Sequence, residues 1–334
     1  MKSMIPIIDM HADIIMDIVR KEGISDENSV LKRFKQHIDR MKSGGIQGAV
    51  LVDCRMAGES AGTRNFEEFI AVTKLLRSCK DSSYIIATSS QELDNSIRDE
   101  RWVGILCYEG LRAANGDLSW LRRLYKEAGL RIAMLTHNDS NAFGTGAFDP
   151  NGSPRAENPL GLTEAGREAV KLMNEMGILI DLAHASPMTR LDILSCSKKP
   201  VMLSHTSSAE VYNNGRNLSD KDMHDIAEQG GLIGCMTSPA ALADIKDRAN
   251  HTLERYMHHL RHMIDVAGED HVGLGLHFCE YLYTQEEYPP VKGLEDASRA
   301  YVIIEELGKF GLSSYQIEKI AYRNFARVFK EATD

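Results

Sequence analysis

An apolar run of strand length, IPIIDMHAD at residues 5–13, ends in His11 and Asp13. Side chains alternate along a strand, so Ile7, Asp9, His11 and Asp13 share one face and the imidazole and carboxylate project together. Both groups suit a first-row divalent cation. Taken alone, the pair is equally well explained by His11 ending the strand and Asp13 capping the next helix. Other ionisable groups fall late in later apolar runs: Glu109 in VGILCYEG, His137 in RIAMLTHND, His184 in GILIDLAHAS, His205 in PVMLSHTS and His277 in HVGLGLHFCE. Alternation places Glu109 with Ile105 and Cys107, His184 with Ile180 and Leu182, and His205 with Val201 and Leu203. His137 is off the parity of Ile132, Met134 and Thr136 and belongs on the rim. Three imidazoles and two carboxylates suffice for a two-metal centre with one bridging carboxylate, which polarises a carbonyl and yields hydroxide at neutral pH. The reaction class is metal-assisted hydrolysis. No G-x-S-x-G motif occurs, and the cysteines are poorly placed for a thiol mechanism.

The elements that must position these groups alternate. Core strands are expected around Ile8, Val50, Ile105, Met134, Ile180, Met202, Ile233 and Leu274, with YIIATSS as a short extra strand or a barrel strand. Helical patterns fill the gaps at 29–43, 65–80, 118–128, 163–176, 187–197, 219–229 and 251–267. Such alternation predicts a parallel sheet with crossover helices, and eight units close into a single (β/α)8 TIM-type barrel spanning residues 1–334. A doubly wound open sheet is the competitor, but no Gly-rich phosphate loop follows the first strand. Helices at 293–307, 313–322 and 324–332 would cover the barrel. In a barrel the carboxyl ends of the strands meet on one face, where active sites form, so the ionisable groups converge. The Gly-, Asn- and Pro-containing stretch 141–159 is too long for an ordinary connector and is a candidate active-site loop.

Composition bounds the partners. The chain has 334 residues, 43% of them hydrophobic, and a net charge of −9. No basic stretch offers phosphate neutralisation, so nucleic acid is not an expected partner. No run approaches the roughly 18–20 apolar residues of a membrane span, and MKSMIPIID lacks a signal-peptide core, so a cytoplasmic location is expected. The six cysteines show no C-x-x-C spacing and read as reduced, mostly buried thiols.

The chain resembles the membrane dipeptidases (renal dipeptidases) of the amidohydrolase superfamily. The resemblance rests on DMHAD at 9–13, YEG at 108–110, LTHND at 135–139, GLTEAGREAVKLMNEMGILIDLAHAS at 161–186, SHTSS at 204–208, RNLSD at 216–220 and GLED at 293–296. It covers essentially the whole chain, in order. It implies two Zn2+ ions, His11 and Asp13 holding one, His184 and His205 the other, and Glu109 bridging them. It further implies hydrolysis of small peptides by a metal-bridging hydroxide, with a C-terminal D-residue accepted. By the same resemblance His137 would bind the scissile carbonyl and stabilise the oxyanion, and Arg216 would pair with the substrate's carboxylate. The expected partner is a small-molecule peptide or amino-acid-derivative substrate, with a homodimer left open.

One motif departs. Where the family reads G-x-D-F-D-G, this chain has Gly275, Leu276, His277, Phe278, Cys279 and Glu280. The family's first aspartate shuttles a proton and lies near the substrate's free amine. His277 can still exchange a proton but cannot hold an ammonium group as a carboxylate does. Two alternatives therefore accompany the dipeptidase reading: a related amidohydrolase for substrates lacking a free amine, such as N-acyl amino acids or lactones, and a catalytically weak binding homologue. Glu254, His258 and His262, spaced by four on a predicted helix, read chiefly as a solvated face. Asp9 and Asp181 read as hydrogen-bonded structural groups, Asp9 orienting a ligand, and Met134, Met173, Met176 and Met202 as core filling.

Overall fold

Runs of Ile, Val, Leu and Ala that are apolar on both faces can only be buried on both, and they form the parallel strands of a barrel. In the computed structural model, which describes residues 4–55, 62–148 and 160–334, these are β1 (Ile7–Ala12), β2 (Ile46–Cys54), β3 (Tyr84–Ala87), β4 (Trp102–Glu109), β5 (Ile132–Met134), β6 (Leu179–Asp181), β7 (Met202–Thr206), β8 (Leu232–Cys235) and β9 (Val272–Leu274). Eight of them run in the order β1-β2-β4-β5-β6-β7-β8-β9, while β3 pairs only with β4. The architecture is a (β/α)8 TIM-type barrel. YIIATSS supplies the extra strand: β3 takes the edge of β4 from Trp102 to Ile105, leaving Cys107 to Glu109 to pair with β5.

The seam between β9 and β1 is closed next to the candidate site. The His277 N–H donates to the His11 carbonyl (3.2 Å), and the Leu276 N–H donates to Asp9 Oδ1 (2.8 Å). A side chain at Gly275 would put its Cβ 1.7 Å from the Ser204 carbonyl oxygen, so only glycine lets the chain pass there.

Helix starts follow their capping side chains. Asp26 accepts from Asn28 and Ser29 and opens Glu27–Ser43, two residues before the expected start. Thr163, Ser186 and Ser219 cap Glu164–Met176, Pro187–Cys196 and Asp220–Glu228. The expected helix at 293–307 is corrected. Gly293 has a φ of 91° and Asp296 is extended, so GLED forms a turn. A short 3-10 segment (Ala297–Arg299) then leads to the helix Tyr301–Lys309. The 118–128 pattern is helical as far as Arg123 and continues as one π-turn, Leu124–Ala128. The last helix, Asn324–Thr333, buries Phe325, Val328 and Phe329. Asn324 donates to the carbonyls of Glu269 and Val272, and Arg327 to those of Gly230 and Asp270. These carbonyls precede or begin β8 and β9, so the helix plugs the amino end of the barrel, opposite the ionisable groups. Among the described residues no helix is long and apolar enough to cross a membrane.

Candidate metal centre

The carboxyl ends of β1, β4, β6 and β7 bring five donors together. Asp13 follows β1 as the residue before the helix Ile14–Glu22 but makes no side-chain cap. Its Oδ1 instead lies 3.6 Å from His11 Nε2. Glu109, the last residue of β4, has Oε2 3.6 Å from His11 Nε2 and Oε1 2.7 Å from His184 Nε2. His184 and His205 face each other with their Nε2 atoms 3.0 Å apart. All five residues are buried. His11, Asp13 and Glu109 form one potential cation-holding group, and Glu109, His184 and His205 form a second.

The donor set fits divalent cations. His11 Nε2 is buried without a hydrogen-bond partner, an arrangement that ordinarily carries a large desolvation cost. A tetrahedral zinc ion bound at about 2.1 Å separates its ligands by about 3.4 Å, close to the 3.6 Å that His11 Nε2 keeps from both carboxylates. The outer nitrogens are anchored. His184 Nδ1 meets Asn138 Oδ1 (2.6 Å) and His205 Nδ1 meets Ser204 Oγ (2.8 Å), leaving each Nε2 directed inward. Asp9 Oδ1 accepts from the His11 backbone N–H (3.1 Å), and Asp181 Oδ1 accepts from Ala183 and Ser204, so both are hydrogen-bonded structural groups.

His137 lies at the rim with its Nε2 3.9 Å from Glu109 Oε1, and burial followed by the Arg216 charge pushes its pKa down to about 4. It is therefore neutral. Arg216 reaches the two imidazoles. Its Nη2 sits 2.7 Å from His184 Nε2 and 2.5 Å from His205 Nε2, within the cage and not only at its edge. His277 stacks on His205 (ring centroids 4.9 Å apart) and reaches Asp13 Oδ2 at 3.5 Å. A cleft of about 130 Å³ opens on this face, lined in part by Asp13, Glu109, His137, Arg216, His277 and Tyr283. Cys54 also lines it, and Cys279 Sγ lies 3.4 Å from Asp13 Oδ2. Burial pushes both thiols well up, so neither is a thiolate nucleophile.

Sequence reading missed Asn138, Ser204 and Tyr283. The first two stand beside His137 and His205, so their position was a usable signal; Tyr283 arrives from a loop and carried none. In the row Glu254, His258 and His262, His262 pairs with Asp220 (2.7 Å), and Glu254 and His258 border an outer groove. In the candidate loop, Ala147 donates to the His184 carbonyl (2.8 Å); its remainder, 149–159, lies outside the described residues.

The protonation pattern yields a testable pH dependence. Burial disfavours the His11 imidazolium, but Glu109 and Asp13 outweigh it and carry the pKa from 6.5 up to about 9. Burial raises Glu109 and Asp9 to about 7 each. The stability that the His11 proton brings is complete below pH 6.5, where the unfolded chain also binds it, and is lost as pH rises to about 9. Cations on the same ligands replace the proton and remove the dependence. Chelated protein should therefore lose up to about 1.4 kcal/mol per pH unit between pH 7 and 9, whereas metal-loaded protein should not. Urea unfolding at both pH values checks this, and equal slopes with and without metal would contradict it.

The whole chain, residues 1–334, matches the family model described as membrane dipeptidase (Peptidase family M19). The protein belongs to the M19 dipeptidase family. This M19 chain is thus a metal-dependent hydrolase of the dipeptidase class. It is 29% identical to an uncharacterized dipeptidase of Schizosaccharomyces pombe over 350 residues, covering 98% of this chain and 81% of that protein. It is 31% identical to dipeptidase verJ of Clonostachys rogersoniana over 247 residues, covering 73% of this chain and 58% of that one. Two solved structures share the fold at 24% identity: the M19 metallopeptidase dipeptidase AC (TM-score 0.85, 99% of each chain) and a Rhodobacter sphaeroides metallopeptidase liganded with a phosphinate mimic of L-Ala-D-Ala (TM-score 0.83, 99% of this chain and 100% of that one).

Proposed function

We propose that this M19 chain is a zinc-dependent dipeptidase in which His11 and Asp13 hold one cation, His184 and His205 a second, and Glu109 bridges them. The observation that carries this is the convergence of these five side chains around the unpartnered, buried His11 Nε2. Two such cations, when bound, would polarise the scissile carbonyl and supply hydroxide from water at neutral pH. The chain's own residues supply the rest. His137, neutral on the cleft rim, donates a hydrogen bond to the oxygen on which negative charge develops. Asn138 fixes the His184 tautomer, and Arg216 presents paired N–H groups to the carboxyl end of the substrate. The fit of L-Ala-D-Ala mimicry to the Rhodobacter relative supports testing dipeptides with a C-terminal D-residue here.

A second reading follows from His277. Among the described residues, the carboxylates lining the cleft are Asp13 and Glu109, and both are assigned to the cations. A free substrate ammonium therefore lacks a dedicated acid partner, so N-acylated substrates compete with free dipeptides. The decisive experiment is a hydrolysis screen of matched L,L, L,D and N-acylated dipeptides on zinc-reconstituted protein, with elemental analysis and chelator controls. Cleavage of free dipeptides, lost on chelation, with two ions per chain is expected. Preference for acylated substrates would favour the second reading. Fewer than one ion per chain in excess zinc would overturn the two-cation centre.

A further inference from the structure

We propose that His277 is an additional protein ligand, through Nε2, to the cation held by His11 and Asp13. This inference rests on the two-cation reading above and adds a ligand that the sequence motifs do not suggest. His277 Nε2 lies 3.5 Å from Asp13 Oδ2. That exceeds the usual 2.7–3.2 Å of an N–H···O hydrogen bond. It matches the ligand-to-ligand edge of about 3.4 Å around a tetrahedral zinc and the 3.6 Å that separates His11 Nε2 from Asp13 Oδ1. His277 joins His11 and His205 in one potential ligand group, and Asp13 and Cys279 in another.

The far side of the ring fixes which nitrogen is free. The buried Cys279 Sγ sits 3.4 Å from His277 Nδ1 and 3.4 Å from Asp13 Oδ2. A thiol has one hydrogen. When it donates to the carboxylate, sulfur accepts from Nδ1–H, and the lone pair is left on Nε2. Nε2 then faces Asp13 Oδ2, acceptor against acceptor, an arrangement that a cation between them resolves. This is the pattern of a ligating imidazole whose other nitrogen is held by a supporting group.

The backbone is built to deliver the ring. His277 has a φ of 53°, in the left-handed region, one of four such non-glycine residues among those described; His184 is another. The conformation is held by His277 N–H to the His11 carbonyl (3.2 Å) and by Tyr288 O–H to the His277 carbonyl (3.0 Å). Strain maintained by several contacts at a cleft marks a functional requirement on the side chain.

The test is nuclear magnetic resonance of cadmium-113-loaded protein labelled with nitrogen-15 histidine, in which each coordinated imidazole shows a cadmium–nitrogen coupling. The expected result is coupling at His11, His184, His205 and His277, with only the last lost in His277→Gln. Zinc competition with a chromophoric chelator should show the affinity of one site falling at least about tenfold in that variant. Coupling at His11, His184 and His205 with an uncoupled His277 in the wild type would overturn the inference while leaving the two-cation reading intact. Absence of coupling at all of these imidazoles would overturn that reading, and the inference with it.

Discussion

Glu109→Gln is expected to reduce kcat/KM by at least about a thousandfold, the scale on which loss of one electrostatic stabiliser already registers, and to cost the protein one of its two cations. Glu109 faces both halves of the cage, with Oε2 toward His11 and Oε1 toward His184. Glutamine preserves its volume but turns one acceptor oxygen into an N–H2 donor, so one half loses a ligand. The fold itself should survive. Burial already pushes the Glu109 carboxyl up to about 7 against the pull of His11, so a neutral amide removes a desolvation cost from the metal-free protein. Elemental analysis and steady-state kinetics in excess zinc check the prediction. A variant within tenfold of wild type that keeps both ions would show that Glu109 does not bridge.

The sequence announced the barrel because its strands are short, β-branched and apolar on both faces, and the eight core strands lie where those runs lie. Period-two alternation also placed Glu109 correctly, since it sits within a regular strand, whereas His205 lies where the register of β7 against β8 shifts. For His184 and His277 the same alternation reached the right destination by the wrong backbone. β6 stops at Asp181 and β9 at Leu274, and each imidazole turns inward through a left-handed residue beyond the strand. A regular extended register has no way to foretell that. The thiol of Cys279 beside Asp13, the closure of the barrel seam through Asp9 and the approach of Tyr283 depend on contacts between segments more than 250 residues apart, and local pattern is silent on those. The resemblance named the candidate ligand residues because residue type is written in the motif. What it could not convey was the setting of Arg216.

Arg216→Ala should weaken turnover of substrates with a free terminal carboxylate by about 2–5 kcal/mol, the range for truncating one partner of a buried charge pair, or about thirtyfold to several thousandfold in kcat/KM. The backbone around Arg216 is pinned by Asn214 Oδ1, which accepts from the Arg216 and Asn217 N–H groups. Its guanidinium uses Nη2 on the lone pairs of His184 and His205. Those lone pairs are the ones a cation would take, so metal loading and the present Arg216 contacts compete for the same atoms. A displaced guanidinium at the mouth of the cleft keeps its charge and its forked donors and gains most from a carboxylate. Two roles are thus separable. If Arg216 serves the substrate, the loss on Arg216→Ala falls on free-acid dipeptides and largely spares their C-terminal amides, and metal content is unchanged. If it serves the imidazoles, acid and amide suffer alike and zinc affinity shifts. Paired kinetics on acid and amide, with zinc titration of the variant, decide between them, and equal losses on both substrates would remove Arg216 from carboxylate recognition.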